Sequence, residues 1–384
     1  MNKKLFRKGE NHRTPGWYLN SGEIELFLTE EGGHHAPVTF KAGKGAPIQP
    51  YFISPWQDAR PDLSHIPLLQ NLRGDFFCLP FGGNPEPVDG EKHPPHGETS
   101  ASKWTMTAAE QKGDVTFFEF EMETKIRPAK VVKRFEMRKG QPVLYVTHTV
   151  SGMDGKMPYG HHAILSMPEA GETMYFSAGK FDYGLTPPNV FADPANLEYQ
   201  YMASGAEFDS LKAVPTRFKD EPTHDYTVYP SPVGYVDLLA VFKKPGKKPA
   251  WAVASYPDRG YLFFSLKNAA ELPATTLWVS NSGRYAPPWN GNTRCFAIEE
   301  TCSCFADGLK TSIGKNALTR KGWKTCGEFS KKNPTVIHHI QGVARIPAGY
   351  GKTKSATFSD SAVTFTDKKG NSVTVAVDWK FLMD

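Results

Sequence analysis

Phe118-Glu119-Phe120-Glu121-Met122-Glu123 alternates apolar and acidic side chains with a period of two, the repeat of an extended chain and not of a helix. A strand built this way buries one face of its sheet and leaves the other in water, as antiparallel sheets do. Similar runs, bounded by Gly, Pro, Asn or Asp, recur at 23–28, 115–126, 131–137, 143–150, 235–242, 250–256, 261–266, 275–279, 295–300, 356–365 and 373–377. Only 303–309 and 316–321 read as helical, and both are short. With 34 glycines and 31 prolines spread over 384 residues, breakers leave little room for longer helices. No internal repeat and no change of composition divides the chain. The expected architecture is all-β: one domain over 1–384, a sandwich of two long antiparallel sheets, with 1–20 as a less ordered N-terminal segment.

Composition narrows the function. Apolar residues make up 39% and charged residues 22%, which excludes a disordered chain and a coiled coil. The net charge of +5 is not gathered into a basic tract, so nucleic acid is not an expected partner. Lys243-Lys244-Pro245-Gly246-Lys247-Lys248, the richest basic stretch, reads as a solvated tip around a Pro-Gly turn. No stretch approaches the roughly 18–20 apolar residues of a membrane helix. The basic start Met1–Lys8 is followed by no apolar segment, so neither membrane insertion nor secretion is expected and the location reads as cytoplasmic. Five cysteines without a CxxC element read as reduced thiols, with Cys302 and Cys304 as packing residues.

Residues able to do chemistry sit at a few strand ends and loops. Arg73, followed by Gly74, would either present its planar donor fork to a ligand or pair with Asp75. In His93-Pro94-Pro95-His96-Gly97 the prolines favour polyproline II, whose three-residue turn sets His93 and His96 on one edge, suited to a metal or a sugar hydroxyl. Gly97 allows close approach to His96. His161 and His162 are neighbours on a strand, so only one can look into a given pocket, and the same holds for Glu299 and Glu300. A buried glutamate there has a raised pKa and can act as a base, or it is a carboxylate bonded to a structural neighbour. His34-His35 and His338-His339 read as strand-surface pairs, and Cys78 as inert. Phosphate loops, the Gly-x-Ser-x-Gly elbow and His-Glu-x-x-His are absent, removing support for nucleotide binding, serine hydrolysis and zincin chemistry.

Taken in order, Asn71-Leu72-Arg73-Gly74, His96-Gly97, Gly160-His161-His162 and Phe296-Ala297-Ile298-Glu299 resemble the galactose mutarotase-like (aldose 1-epimerase) superfamily, over roughly residues 20–380. The resemblance implies a β-supersandwich with a sugar cleft on the concave face of its larger sheet. It implies Glu299 as base and His162 as acid in exchanging the anomers of a sugar or sugar phosphate, without cofactor or metal. Arg73, His96 and His161 would hold the sugar, Asn71 would support the arginine, and Trp289 would stack on the ring. Glu98 stands where the family has a second glycine, and His162 lacks the Asn-His-Ser setting, which marks a divergent branch. Two other readings are a non-catalytic sugar-binding or regulatory protein on the same fold, and a lyase or cupin-like enzyme with a metal on His93, His96 and His161 or His162.

Overall fold

The alternating runs pair, in a computed structural model that describes residues 5–59 and 61–383, into two long antiparallel sheets. The nine-stranded sheet runs, edge to edge, Val228–Tyr229, Met174–Ala178, Ala250–Tyr256, Tyr261–Lys267, Thr335–Arg345, Val143–Ser151, Ala129–Arg138, Val115–Thr124 and Thr105–Lys112. The seven-stranded sheet runs Glu207–Phe208, Tyr183–Leu185, Tyr235–Phe242, Ala274–Asn281, Arg294–Cys302, Tyr159–Ser166 and Phe77–Cys78. Their facing sides share one apolar core, to which Phe263, Val343, Leu144 and Val146 contribute from the first sheet and Leu277, Ile298 and Phe296 from the second.

Residues of opposite parity in the nine-stranded sheet have a different partner. Leu262, Phe264, Leu266 and Ile340 form a second core with Val363, Phe365 and Val375 of a C-terminal three-stranded sheet (Thr353–Phe358, Ala362–Asp367, Ser372–Ala376). Strands covered on both sides lose their polar face, which is why Tyr261–Lys267 is apolar almost throughout. A four-stranded N-terminal sheet (Phe6–Asn11, Thr14–Asn20, Ile24–Thr29, His35–Phe40) joins the main core through Trp17, whose ring lies 5.1 Å from that of Phe120.

Several expectations need correction. Residues 6–11 and 14–20 of the segment expected to be less ordered are paired strands, while residues 1–4 lie outside the described residues. The run 356–365 is a hairpin, because the chain turns between Phe358 and Ala362. Within 303–309 the left-handed Gly308 (φ 83°) delays the helix to Leu309–Ile313, and 316–321 is reduced to a single 3-10 turn at Thr319–Lys321. The central strand Thr335–Arg345 was not legible as a long run, because polar His338, His339 and Gln341 interrupt its apolar pattern.

The two-sided burial has a measurable consequence. Phe263→Ala removes a fully buried ring from the inner core and is expected to cost about 3–5 kcal/mol in urea unfolding. Val336→Thr, at a position 40% exposed near the start of strand Thr335–Arg345, should stay within about 0.5 kcal/mol of wild type.

Candidate active site

Antiparallel register sets His162 of strand Tyr159–Ser166 directly opposite Glu299 of strand Arg294–Cys302, and Thr276 lies opposite Glu299 on its other side. Facing residues of paired strands share a sheet face, so His162 and Glu299 project together on the side of the seven-stranded sheet that faces away from the nine-stranded one. His162 Nε2 lies 3.1 Å from Glu299 Oε1. Both line a cavity of about 110 Å³ with Trp278 and Leu238 of the same sheet, and with His96, Arg284 and Trp289 from loops. The cavity therefore lies on the seven-stranded sheet, which corrects the expectation from the resemblance that a cleft would lie on the larger one.

Local chain geometry fixes each wall. His96 (φ 57°) and Gly97 (φ 76°) are both left-handed, and a Cβ on Gly97 would stand 1.9 Å from the Leu79 carbonyl oxygen. Only glycine tolerates this approach, which sets the His96 ring 5.1 Å from that of His162. Glu98 has a structural task in the same loop: its carboxylate accepts the backbone N–H groups of Lys125 and Ile126 at 3.0 Å. Phe76 stacks on His162 with rings 4.7 Å apart. Trp289 meets Trp278 at 5.9 Å and Trp56 at 5.0 Å, and the Arg284 guanidinium lies 4.9 Å from the centre of the Trp289 ring. Arg284 Nε is 3.0 Å from Glu198 Oε1.

Burial dominates the electrostatics. It pushes the Glu299 carboxyl well above the usual carboxylate range, with Arg284 acting in the opposite direction. It drops the His162 imidazole well below its usual range, and His96 adds to that effect. His96 itself is lowered to about 4, first by burial and then by Arg284. Burial thus favours the neutral form of each member of the adjacent pair, a protonated carboxyl and an unprotonated imidazole. The buried His162 Nδ1 and Trp278 Nε1 have no hydrogen-bond partner among the described residues, so the cavity offers polar atoms beside the His162–Glu299 pair.

Other residues singled out from the sequence go elsewhere. Arg73 is fully buried, and its guanidinium donates to Asn11 Oδ1 (2.8 Å), Thr14 Oγ1 (2.9 Å) and Gln57 Oε1 (2.6 Å). It neither lines the cavity nor pairs with Asp75; the cation in the cavity wall is Arg284. Asn71 does not support Arg73 but donates to the Glu31 carbonyl at 3.4 Å. His161 points to the opposite sheet face, where its Nδ1 lies 3.1 Å from Asp75 Oδ2, as strand parity requires once His162 faces the cavity. Glu300 shares that inner face, bonded to Ser265, Thr275 and Lys267. His93 is held by Glu91 at 3.0 Å, so His93, His96 and a mid-chain histidine do not gather around one point. His34, His35 and His339 are buried and not strand-surface residues. The five cysteines are free thiols.

Arg284, Trp278 and Phe76 were missed from the sequence. Gly283-Arg284 has the same arginine-beside-glycine character as Arg73-Gly74, and a Cβ on Gly283 would stand 2.1 Å from the Tyr235 backbone. Trp278 shares a face with Thr276, opposite Glu299, and strand parity alone could have found it.

This architecture is the galactose mutarotase-like fold. A galactose mutarotase-like protein from Clostridium acetobutylicum aligns with a TM-score of 0.55 at 12% identity, covering 89% of this chain and 98% of its own. A galactose mutarotase related enzyme from Lactobacillus acidophilus gives 0.53 at 11% identity, covering 85% and 96%. A candidate aldose 1-epimerase from Escherichia coli K12 gives 0.55 at 14% identity, covering 89% and 100%. At these identities the likeness is one of fold. No protein-family model and no curated protein matches the sequence. Among the described residues no helix is long and apolar enough to cross a membrane.

Two outcomes follow from the burial pattern. Arg73→Ala strands buried acceptors on Thr14 and Gln57 and should cost about 3 kcal/mol or more in urea unfolding, while the folded fraction keeps its affinity for a cavity ligand. His34 is fully buried and its pKa is lowered to about 3, first by burial, against 6.5 for the unfolded chain. Between those values the unfolded state binds the extra proton, so stability falls as pH drops below 6.5, by about 1.4 kcal/mol per pH unit from this residue. Urea midpoints that do not fall between pH 7 and pH 5 would contradict this.

Proposed function

We propose that the protein binds a monosaccharide in the Trp278–Trp289 cavity and interconverts its anomers, as an aldose 1-epimerase. The observation that carries this reading is the His162–Glu299 pair, 3.1 Å apart and facing one cavity. Ring opening removes a proton from the anomeric hydroxyl and delivers one to the ring oxygen. Both oxygens are bonded to the same carbon, so the acid and base that serve them must also stand side by side.

The charge state supports a specific sequence. Glu299, protonated at rest, donates to the ring oxygen as His162 accepts from the anomeric hydroxyl, and the C1–O5 bond breaks to give the open-chain aldehyde. Rotation about C1–C2 presents the other carbonyl face. On reclosure His162 returns its proton to the new anomeric hydroxyl and Glu299 recovers its own from the ring oxygen. Each residue is acid in one half-reaction and base in the other, and this sequence reverses the assignment first expected, in which Glu299 takes the anomeric hydroxyl proton and His162 protonates the ring oxygen. The pair begins and ends with one proton and needs none from solvent. Trp289 and Trp278 supply apolar ring faces for the sugar's C–H surface, and His96 and Arg284 supply polar contacts at the rim.

Polarimetry or NMR exchange spectroscopy on a panel of free aldoses and sugar phosphates tests this. Wild type should accelerate exchange above buffer, and Glu299→Gln and His162→Asn should each lower kcat at least about a hundredfold while leaving KM within a few fold. His96→Ala should mainly raise KM. Sugar binding without any exchange by wild type would instead establish a non-catalytic sugar-binding protein on the same fold, and full activity in Glu299→Gln would remove Glu299 from the reaction.

A further inference from the structure

The side of the seven-stranded sheet turned away from the cavity carries a second group of polar residues, buried between the two sheets and unused by the proposed reaction. Asp75, His161, His339 and Gln341 are each no more than 1% exposed. Asp75 precedes strand Phe77–Cys78, and His161 belongs to the seven-stranded sheet. His339 and Gln341 sit two residues apart on strand Thr335–Arg345 of the nine-stranded sheet and therefore point the same way. Ligand atoms of Asp75, His161 and His339 lie within 4.8 Å of one another.

The atoms can be assigned from the bonds around them. Ser265 Oγ donates to Glu300 Oε1 at 2.9 Å, so where it meets His339 Nε2 at 2.9 Å it is the acceptor. His339 then carries its proton on Nε2, and the lone pair of Nδ1 points toward Gln341 and Asp75. His161 Nδ1 is 3.1 Å from Asp75 Oδ2. The Gln341 side-chain amide closes the ring of contacts, 2.6 Å from Asp75 Oδ2 and 3.1 Å from His339 Nδ1, and its other end meets the Tyr51 hydroxyl. An amide can be turned over without changing its shape. Turned, Gln341 offers its oxygen to the same point and its NH2 to Tyr51. Ligands about 2.0–2.1 Å from a tetrahedral zinc ion stand roughly 3.3 Å apart; the contacts His161–Asp75, Gln341–Asp75 and Gln341–His339, at 3.1, 2.6 and 3.1 Å, bring these groups to that scale.

We infer that Asp75 Oδ2, His161 Nδ1, His339 Nδ1 and Gln341 Oε1 form a buried four-coordinate site for a divalent first-row transition ion of the Zn²⁺ class. Imidazole, carboxylate and amide ligands without sulfur suit such an ion, and two imidazoles disfavour Mg²⁺ or Ca²⁺. The chain from His339 through Ser265 to Glu300 orients that ligand from outside the site, as is usual for a metal-bound histidine, while the outer nitrogen of His161, Nε2, has no hydrogen-bond partner among the described residues. An ion here joins the two sheets at their centre, and since Asp75 Oδ1 also accepts the His162 backbone N–H at 2.8 Å, it steadies the strand that carries His162. This site is separate from the cavity; of the histidines first considered for a metal, His161 is one of its ligands, while His93, His96 and His162 take no part in it.

The test is to denature tag-free, full-length protein, refold it with excess Zn²⁺ or Co²⁺, desalt it, and measure metal per chain by mass spectrometry. Wild type should retain about one ion per chain, and the Co²⁺ form should show the visible d–d absorption of a four-coordinate ion. His339→Leu and Gln341→Leu should each weaken retention at least about tenfold, while His96→Ala retains the ion. Should the leucine variants fail to fold, X-ray absorption of the wild-type zinc form decides, with an oxygen and nitrogen shell including two imidazoles expected. The inference fails if wild type keeps less than about a tenth of an ion per chain. It also fails if His339→Leu keeps it unchanged, if His96→Ala loses it, or if sulfur enters the shell. Anomer exchange is not read in this experiment, so failure of the metal site leaves the proposed reaction standing, and the reverse.

Discussion

Everything chemical in this protein depends on one geometrical fact, that neighbouring residues of a strand point to opposite faces of the sheet. The register that sets His162 opposite Glu299 also sets His161 opposite Glu300. One pair of strands thus carries two histidine–glutamate rows, one turned toward the aromatic cavity and one toward the nine-stranded sheet. A slip of one residue would exchange the rows, sending His161 and Glu300 into the cavity and away from the partners that the inner face provides. The register is held by strong demands on the inner side. Glu300 is bonded to Ser265, Thr275 and Lys267, and a buried carboxylate left without such partners would cost several kcal/mol. The structural row fixes the position of the row that faces the cavity.

The two faces handle charge in different ways. On the inner face ionised groups are paired: Lys267 with Glu300 at 2.5 Å, and Asp75 among the histidines and the Gln341 amide. On the cavity face burial acts without an equally close ion pair, and it favours the neutral forms of Glu299 and His162. A carboxyl kept protonated beside a neutral imidazole is a poor structural element and a good proton-transfer unit, since the proton can pass either way through a substrate without creating an isolated buried charge. Arg284 supplies the nearby positive charge that eases the carboxylate form of Glu299.

Much of the architecture was legible in the sequence because it is written in period two. The alternation around Phe118–Glu123, and its repetition through residue 377, sufficed for antiparallel sheets, and parity sufficed to say that one histidine and one glutamate of each adjacent pair would share a face. Parity could not say which pair is inside, because that depends on partners distant in the chain: Asp75, Ser265 and Gln341 for the inner row, and Phe76, Trp278 and Arg284 for the outer. Arg73 shows the limit most clearly. A fully buried guanidinium bonded to Asn11, Thr14 and Gln57 and a ligand-binding guanidinium have the same local sequence, and only the fold distinguishes them. Thr335–Arg345 was missed for a related reason, since a strand at the centre of the larger sheet carries the polar residues that meet Asp75 and Ser265.

In the proposed reaction the outer row, and not the inner one, meets a sugar. A crystal structure of the protein with an aldose bound tests it most directly. The account predicts the anomeric hydroxyl and ring oxygen within hydrogen-bond reach, about 2.6–3.2 Å, of His162 Nε2 and a Glu299 carboxyl oxygen, with the ring between Trp278 and Trp289. A sugar bound away from the His162–Glu299 pair, or a cavity in which His161 and Glu300 face the ligand, would contradict it.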